Sequence, residues 1–413
     1  MAWAIAASPL LTKLYVAPGN PGTATLAENV AIGALDVAAL VAFARGEGID
    51  LVVPGPEAPL VAGLADAMAA AGIRCCGPSA AAARLEGSKA FAHEVCDAAG
   101  IPTAAWERFD DADAALDFVT RRGAPLVVKA DGLAAGKGVV VAMTEADAAA
   151  AVRAAMQDRA LGEAGASVVI EEFLEGDEVS LFALCDGTDA VLIGAAQDHK
   201  RVGNGDSGPN TGGMGAVCPP AGFDGVAQRA AVDVFVRPAL AEMARREMPF
   251  RGVLFAGLML TEGGPRLIEY NVRFGDPEAQ ALLPRLRTDL LTALLAACDG
   301  ELAQFSIEQR DLAAVSVVLA ARGYPGEFVR GGAIGGLAAA AVVPHAAVFH
   351  AGTDVRDGVV VANGGRVLTV CGTGVDLARA RAAAYAAVDA VQWADKMFRT
   401  DIGLRALARE RAA

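Results

Sequence analysis

Lysine is the residue this chain uses sparingly. Only 6 of its 35 basic residues are lysines and 29 are arginines, and four of the six, Lys89, Lys129, Lys137 and Lys200, lie beside glycine or in short charged motifs. A lysine is a compact point charge suited to a phosphate oxygen. Lys129 and Lys137 bracket a glycine-rich stretch, Asp131-Gly132-Leu133-Ala134-Ala135-Gly136-Lys137-Gly138, that departs from a P-loop. Only three residues separate Gly132 from Gly136, and Gly138 stands where a Ser or Thr is required. The stretch also leads into a strand, not a helix amino terminus. A hairpin tip remains whose backbone N–H groups can fold over phosphates.

Downstream, Ile268-Glu269-Tyr270-Asn271 reads as a strand. Its two-residue period puts Glu269 and Asn271 on one face, where both can offer oxygen to one hard cation such as magnesium, with phosphates and water completing the shell. Arg273 and Gly275-Asp276-Pro277-Glu278 follow. The guanidinium can grip a carboxylate through two parallel hydrogen bonds. Taken singly each signal is weak, the bland readings being an unliganded glycine hairpin and, for Arg273, a surface salt bridge.

The elements that must position these groups follow from periodicity. Residues 1–86 alternate short apolar strands (14–17, 49–53, 73–76) with helical spacing (36–45, 60–71), the pattern of a parallel sheet with ligands at the carboxyl ends of its strands. Pro18-Gly19-Asn20 and Pro54-Gly55-Pro56-Glu57 fall at such ends. Helices are expected at 89–99 and 112–121, then a strand at 125–130, the glycine loop, a strand at 139–142, a helix at 145–156 and a strand at 168–172. Further strands are expected within 179–197, 253–260 and 265–270, with a helix at 227–246. From about 312 strands and turns close with helices at 377–391 and 403–411.

Composition bounds the rest. At 413 residues the chain is multidomain, and 54% hydrophobic with 20% charged residues is a globular composition. A net charge of −14 disfavours nucleic acid and anionic membrane as partners. No apolar run approaches the ~20 residues of a membrane span, and the opening Met1-Ala2-Trp3-Ala4, without a basic region, does not resemble a signal peptide. A cytoplasmic protein is expected. The seven cysteines form no CxxC pair, so buried free thiols are expected in place of disulfides or zinc.

The order of the motifs carries more than each does alone. The stretch Val128 through Val139 is followed by Glu171-Glu172-Phe173-Leu174, Gln197-Asp198-His199-Lys200-Arg201, Pro209-Asn210-Thr211-Gly212-Gly213-Met214-Gly215 and the run from Glu269 to Glu278. This succession resembles the phosphoribosylamine-glycine ligases, a family of ATP-grasp enzymes. Glu86-Gly87-Ser88-Lys89-Ala90-Phe91, Gly323-Tyr324-Pro325-Gly326 and Asn363-Gly364-Gly365-Arg366 extend the likeness over essentially the whole chain. The segments 198–201 and 210–213 favour this family over transformylases and carboxylases with the same fold, and the intact Lys129, Lys137, Glu269 and Asn271 favour an enzyme over a scaffold.

The resemblance implies an α/β ATP-grasp fold: a parallel-sheet amino-terminal domain (1–87), an ATP-grasp domain (88–297) with a lid subdomain at about 109–172, and a small α+β carboxy-terminal domain (298–413). The family opens with a strand and glycine loop ahead of the helix in which this sequence begins, so the sheet's first strand is expected to be missing. By the same resemblance Lys89 and Lys129 contact ATP phosphates, and Gly132, Gly136, Lys137 and Gly138 cover them, Lys137 taking part in catalysis. Glu171, Glu172, Phe173 and Leu174 present backbone groups to adenine, and Glu178 approaches the ribose. Glu269 and Asn271 hold Mg2+ or Mn2+, Arg273 orients the carboxylate of glycine, and Asp198, Lys200 and the turn 210–213 line the cavity for 5-phosphoribosylamine. A monomer acting on small molecules is expected.

Overall fold

The computed structural model describes residues 1–134 and 138–412. Near the amino terminus the parallel pairing expected from the alternation is present as two separate two-stranded sheets, Tyr15–Val16 with Glu28–Asn29 and Leu51–Val52 with Arg74–Cys75. Ala44, Leu64 and Met68 form the small core between their helices. The single helix expected over 60–71 is two, Ala58–Val61 and Leu64–Ala70. Gly63 between them has φ 87°, a left-handed value that an α-helix cannot continue through.

Helix Ala80–Gly87 ends at Ser88, whose extended backbone and side-chain acceptance from Phe91 N start helix Lys89–Ala99. That break turns both Glu86 and Lys89 toward one cavity. Asp131, at the entry to the glycine loop, accepts from Ser88 Oγ at 2.8 Å and from Ala90 N at 3.1 Å, so the helix amino terminus and the loop are tied to one carboxylate.

Two sheets then face each other. The smaller has four antiparallel strands in the order Trp106–Phe109, Val168–Glu172, Leu126–Ala130, Val139–Ala142. Val128, Ile170, Val119 and Val152 pack its core against helices Ala112–Arg122 and Glu145–Val152, the latter running on as a π-helical turn, Arg153–Gln157. The larger has nine strands. Gly264–Asn271, Arg251–Thr261, Asp177–Asp186, Ala190–Asp198 and Gly215–Cys218 continue without interruption into Ala313–Ala321, Arg366–Gly374 and Ala346–His350, with Lys396–Met397 paired to Ala313–Ala321. Strands from either side of residue 298 therefore share one sheet. The stretch expected as strand within 179–197 is a hairpin, and Phe182, Leu184, Ile193 and Phe255 fill the core beneath it. No described helix is long and apolar enough to cross a membrane.

Candidate active site

A cavity of about 980 Å³ lies between the two sheets, large enough for a nucleotide and a second small molecule. Its wall carries Lys89, Lys129, Gly132, Gly138, Glu171, Glu172, Phe173, Leu174 and Glu178 from the nucleotide set. Asp198, Lys200, Glu269, Asn271 and Arg273 complete the wall. Gly136 and Lys137 lie outside the described residues. The glycine at 132 is required by packing: a Cβ there would stand 2.8 Å from Ala164 Cα.

Strand Gly264–Asn271 delivers the carboxylate and amide side by side. Tyr270 points into the core, fully buried, while Glu269 and Asn271 face the cavity with Asn271 Nδ2 3.4 Å from Glu269 Oε1. Burial alone would raise the Glu269 carboxyl, but Lys89, Lys200 and Lys129 together hold it well below the usual carboxylate range. An ionised carboxylate and an amide oxygen on one face fit a hard divalent cation that takes its remaining ligands from phosphates and water. Among the described residues no cluster of three His, Cys, Asp or Glu forms an all-protein metal site.

The lysines are held by carboxylates. Lys89 Nζ lies 3.0 Å from Glu269 Oε2. Lys129, 2% exposed, lies 2.8 Å from Glu171 Oε1 and donates to the Ile268 carbonyl at 2.9 Å. That carbonyl is presented at an irregularity in the pairing of Gly264–Asn271 with Arg251–Thr261, where the register shifts between Gly257 and Leu258. Lys200 pairs with Glu178, and both flank Asp198, whose Oδ1 is buried with no partner among the described residues. Burial, with Glu278, Glu178 and Glu269 nearby, pushes the Asp198 carboxyl well above its ordinary range despite Lys200. Lys200 is raised, its own burial outweighed by Glu178, Asp198 and Glu269.

Glu171 has a larger part than the sequence indicates: its side chain is 3% exposed and turned inward between Lys129 and His93. Glu172 turns outward, accepting from Ala105 N at 3.0 Å. Arg273 is already engaged. Its Nε is 2.9 Å from Glu57 and its Nη2 3.0 Å from Glu86, so the two carboxylates from the amino-terminal segment occupy the fork expected to meet glycine. The turn 210–213 is gripped from the carboxy-terminal segment, with Arg366 Nη1 donating to the Gly212 carbonyl at 2.7 Å and Gly212 N to Tyr324 Oη at 3.2 Å.

Sequence reasoning gave no role to Glu86, Glu278 or His93, all of them buried. Glu86 and Glu278 border motifs that were legible, and their signal was an acidic residue among apolar helical neighbours. His93 stands four residues after Lys89, so on one helical face with it, which is the signal it offered.

A small antiparallel sheet folded over a large one, with Lys129 from the first, Lys89 from a neighbouring helix and a carboxylate-amide pair from the second converging on the gap, is the architecture of an ATP-grasp enzyme. The chain belongs to the phosphoribosylglycinamide synthetase family. The family's N domain matches residues 1–86, its ATP-grasp (A) domain 87–279 and its C domain 314–405. A phosphoribosylamine–glycine ligase from Mesorhizobium japonicum is 55% identical, covering 100% of this chain and 97% of the relative. One from Escherichia coli O6:H1 is 47% identical over 99% and 96%. The crystal structure of the phosphoribosylamine–glycine ligase from Thermotoga maritima superposes with a TM-score of 0.82 at 32% identity, covering 97% of this chain and 96% of that one. A biotin carboxylase from Campylobacter jejuni has the same fold, with a TM-score of 0.72 at 16% identity over 93% and 86%. This chain is accordingly an ATP-dependent ligase of purine biosynthesis.

Proposed function

We propose that this ligase joins the carboxylate of glycine to the amine of 5-phosphoribosylamine through glycyl phosphate, giving glycinamide ribonucleotide, ADP and phosphate. The observation that carries the reading is the convergence of Lys89, Lys129 and Lys200, half of the chain's six lysines, near Glu269 within one cavity of a protein of net charge −14. A carboxylate is a poor electrophile. The terminal phosphoryl group of ATP passes to a glycine carboxylate oxygen and ADP departs. The amine nitrogen then attacks the carbonyl carbon, the carbon–oxygen bond to phosphate breaks, and the leaving phosphate takes the proton shed by nitrogen.

In this reading Lys89 and Lys129 bind the phosphates, Gly132, Gly136, Lys137 and Gly138 cover them, and backbone groups of Glu171, Glu172, Phe173 and Leu174 meet adenine, with Glu178 at the ribose. Glu269 and Asn271 hold Mg2+ or Mn2+, which when bound offsets the negative charge of the phosphates. Arg273 orients the glycine carboxylate, exchanging the oxygens of Glu57 and Glu86 for those of the substrate. Asp198 Oδ1, without a partner among the described residues, accepts from an incoming N–H, and Lys200, paired with Glu178, supplies a positive charge near that carboxyl. Closure of the smaller sheet over the cavity keeps water from the acyl phosphate.

The same reading divides the chain at 87/88 and 297/298, treats about 109–172 as the lid, and expects a cytoplasmic monomer. The test is ADP release with glycine, 5-phosphoribosylamine and a divalent cation, each omitted in turn. Full ADP release without glycine overturns the reading.

A further inference from the structure

One turn beyond Lys89, helix Lys89–Ala99 carries a second polar side chain, His93, buried behind the cavity wall against Glu171 and Trp106. His93 is 5% exposed, and its Nε2 lies 2.8 Å from Glu171 Oε1. That same oxygen is 2.8 Å from Lys129 Nζ. The imidazole lies nearly parallel to the indole of Trp106, with centroids 4.7 Å apart and planes 14° from one another, and Trp106 is itself anchored by donation from Nε1 to Asp97 at 3.1 Å. Ring and indole together fix the direction of the Nε2 bond. Nδ1 is buried without a partner among the described residues, so the tautomer that fits carries its proton on Nε2 and donates it to Glu171.

The donor count on Lys129 shows what this arrangement does. An ammonium has three N–H groups. One is donated to the Ile268 carbonyl, the 2.8 Å ion pair with Glu171 holds the ammonium on another side, and what remains is available to the cavity that Lys129 lines. The division holds only while the Glu171 carboxylate stays where it is. Burial alone would push the Glu171 carboxyl up, and Lys129 and His93 acting together bring it below its ordinary value. Without the imidazole donor, the lysine is the sole strong partner of a nearly inaccessible carboxylate and is drawn toward it. Its remaining donor then turns away from the cavity.

We propose that His93 is a positioning residue for Lys129: by donating from Nε2 to Glu171 it holds that carboxylate where it engages one lysine N–H and leaves another for a phosphate oxygen of the nucleotide. The inference rests on the assignment of Lys129 to ATP made above. The alternative is that His93 only fills space beneath Trp106.

Three substitutions in the full chain separate the two. In His93→Gln the amide nitrogen can take the place of Nε2 and donate to Glu171. In His93→Asn the amide is one methylene short, and His93→Leu has comparable bulk and no donor. Steady-state KM for ATP and for glycine, kcat and melting temperature are measured for each, after the parent chain has been shown to release ADP. A parent that fails this control overturns the ligase reading itself, whereas the His93 series addresses only how the lysine is held. His93→Asn and His93→Leu are expected to raise the KM for ATP roughly tenfold, the equivalent of one hydrogen bond to a charged group. The KM for glycine stays near the parent value, and His93→Gln recovers most of the loss. Should the leucine variant fail to fold, the Gln and Asn pair decides alone. The proposal is overturned if His93→Asn keeps the parent KM for ATP, if His93→Gln is as impaired as His93→Asn, or if both KM values rise together as a loosened fold would make them.

Discussion

Lys89 Nζ lies 3.0 Å from Glu269 Oε2, so the lysine assigned to phosphate and the carboxylate assigned to the cation neutralise one another. On the proposed assignment, a metal–nucleotide complex would exchange this internal pair for two external ones, Glu269 to cation and Lys89 to phosphate. The exchange would leave neither group buried and unpaired, a state that costs several kcal/mol.

Glu269→Gln is therefore expected to keep the fold while losing metal-dependent turnover. The amide retains bulk and one oxygen but no charge, and Asn271 alone is a neutral ligand. A fall in kcat of about a hundredfold or more is expected, on the scale of losing one electrostatic stabiliser of the reaction. A titration of ADP release against Mg2+ and Mn2+ reads it, and an unchanged metal dependence would move the cation site elsewhere.

Lys129→Met removes the main counter-charge of Glu171, which is 3% exposed. Breaking a buried pair from one side costs about 3–5 kcal/mol, so this variant should melt earlier and bind ATP poorly. Lys137→Ala, in the glycine-rich stretch of the sequence, is expected to slow ADP release by roughly tenfold or more if Lys137 covers the phosphates, as loss of one preorganised charge does. Parent rates in both variants would remove the loop and its lysines from the nucleotide site.

Arg273→Lys keeps the charge and loses the planar fork. If Arg273 trades Glu57 and Glu86 for the substrate carboxylate, the KM for glycine should rise about tenfold or more, the cost of a charged hydrogen bond. Glycine titrations at saturating ATP measure this. A lowered melting temperature with an unchanged KM for glycine would make Arg273 a strut between the amino-terminal segment and the large sheet.

Asp198→Asn should stabilise the protein and impair it. Burial, reinforced by neighbouring carboxylates, raises the Asp198 carboxyl in the folded chain, so the folded state holds its proton more tightly than the unfolded state does. Stability therefore declines as pH rises from the ordinary carboxyl value near ~4 toward the raised folded value. Asparagine has no such titration, and its advantage in melting temperature should grow across that window. Turnover should fall roughly tenfold or more with the loss of the carboxyl group from the acceptor side of the cavity. Melting curves from pH 4 to neutrality that stay parallel for the two proteins would contradict the assignment.

Local rules were enough for much of this protein. Period-two alternation put Glu269 and Asn271 on one face, and helical spacing put a helix over 89–99. The scarcity of lysine marked Lys89, Lys129 and Lys200, and all three line the cavity. Each of these signals resides in a few consecutive residues, where backbone geometry and side-chain type act directly. Tertiary structure alone decided the partners. Arg273 meets Glu57 and Glu86 across 216 and 187 residues of chain, Lys129 meets Ile268 across 139, and His93 meets Glu171 across 78. It also decided that one sheet runs through residue 298 and that Gly63 divides a helix whose apolar spacing continues unbroken. Periodicity specifies which face of an element is apolar, but the pairing of two faces depends on topology and on which buried charges can be neutralised together. That choice is made by the whole chain when it closes around the cavity.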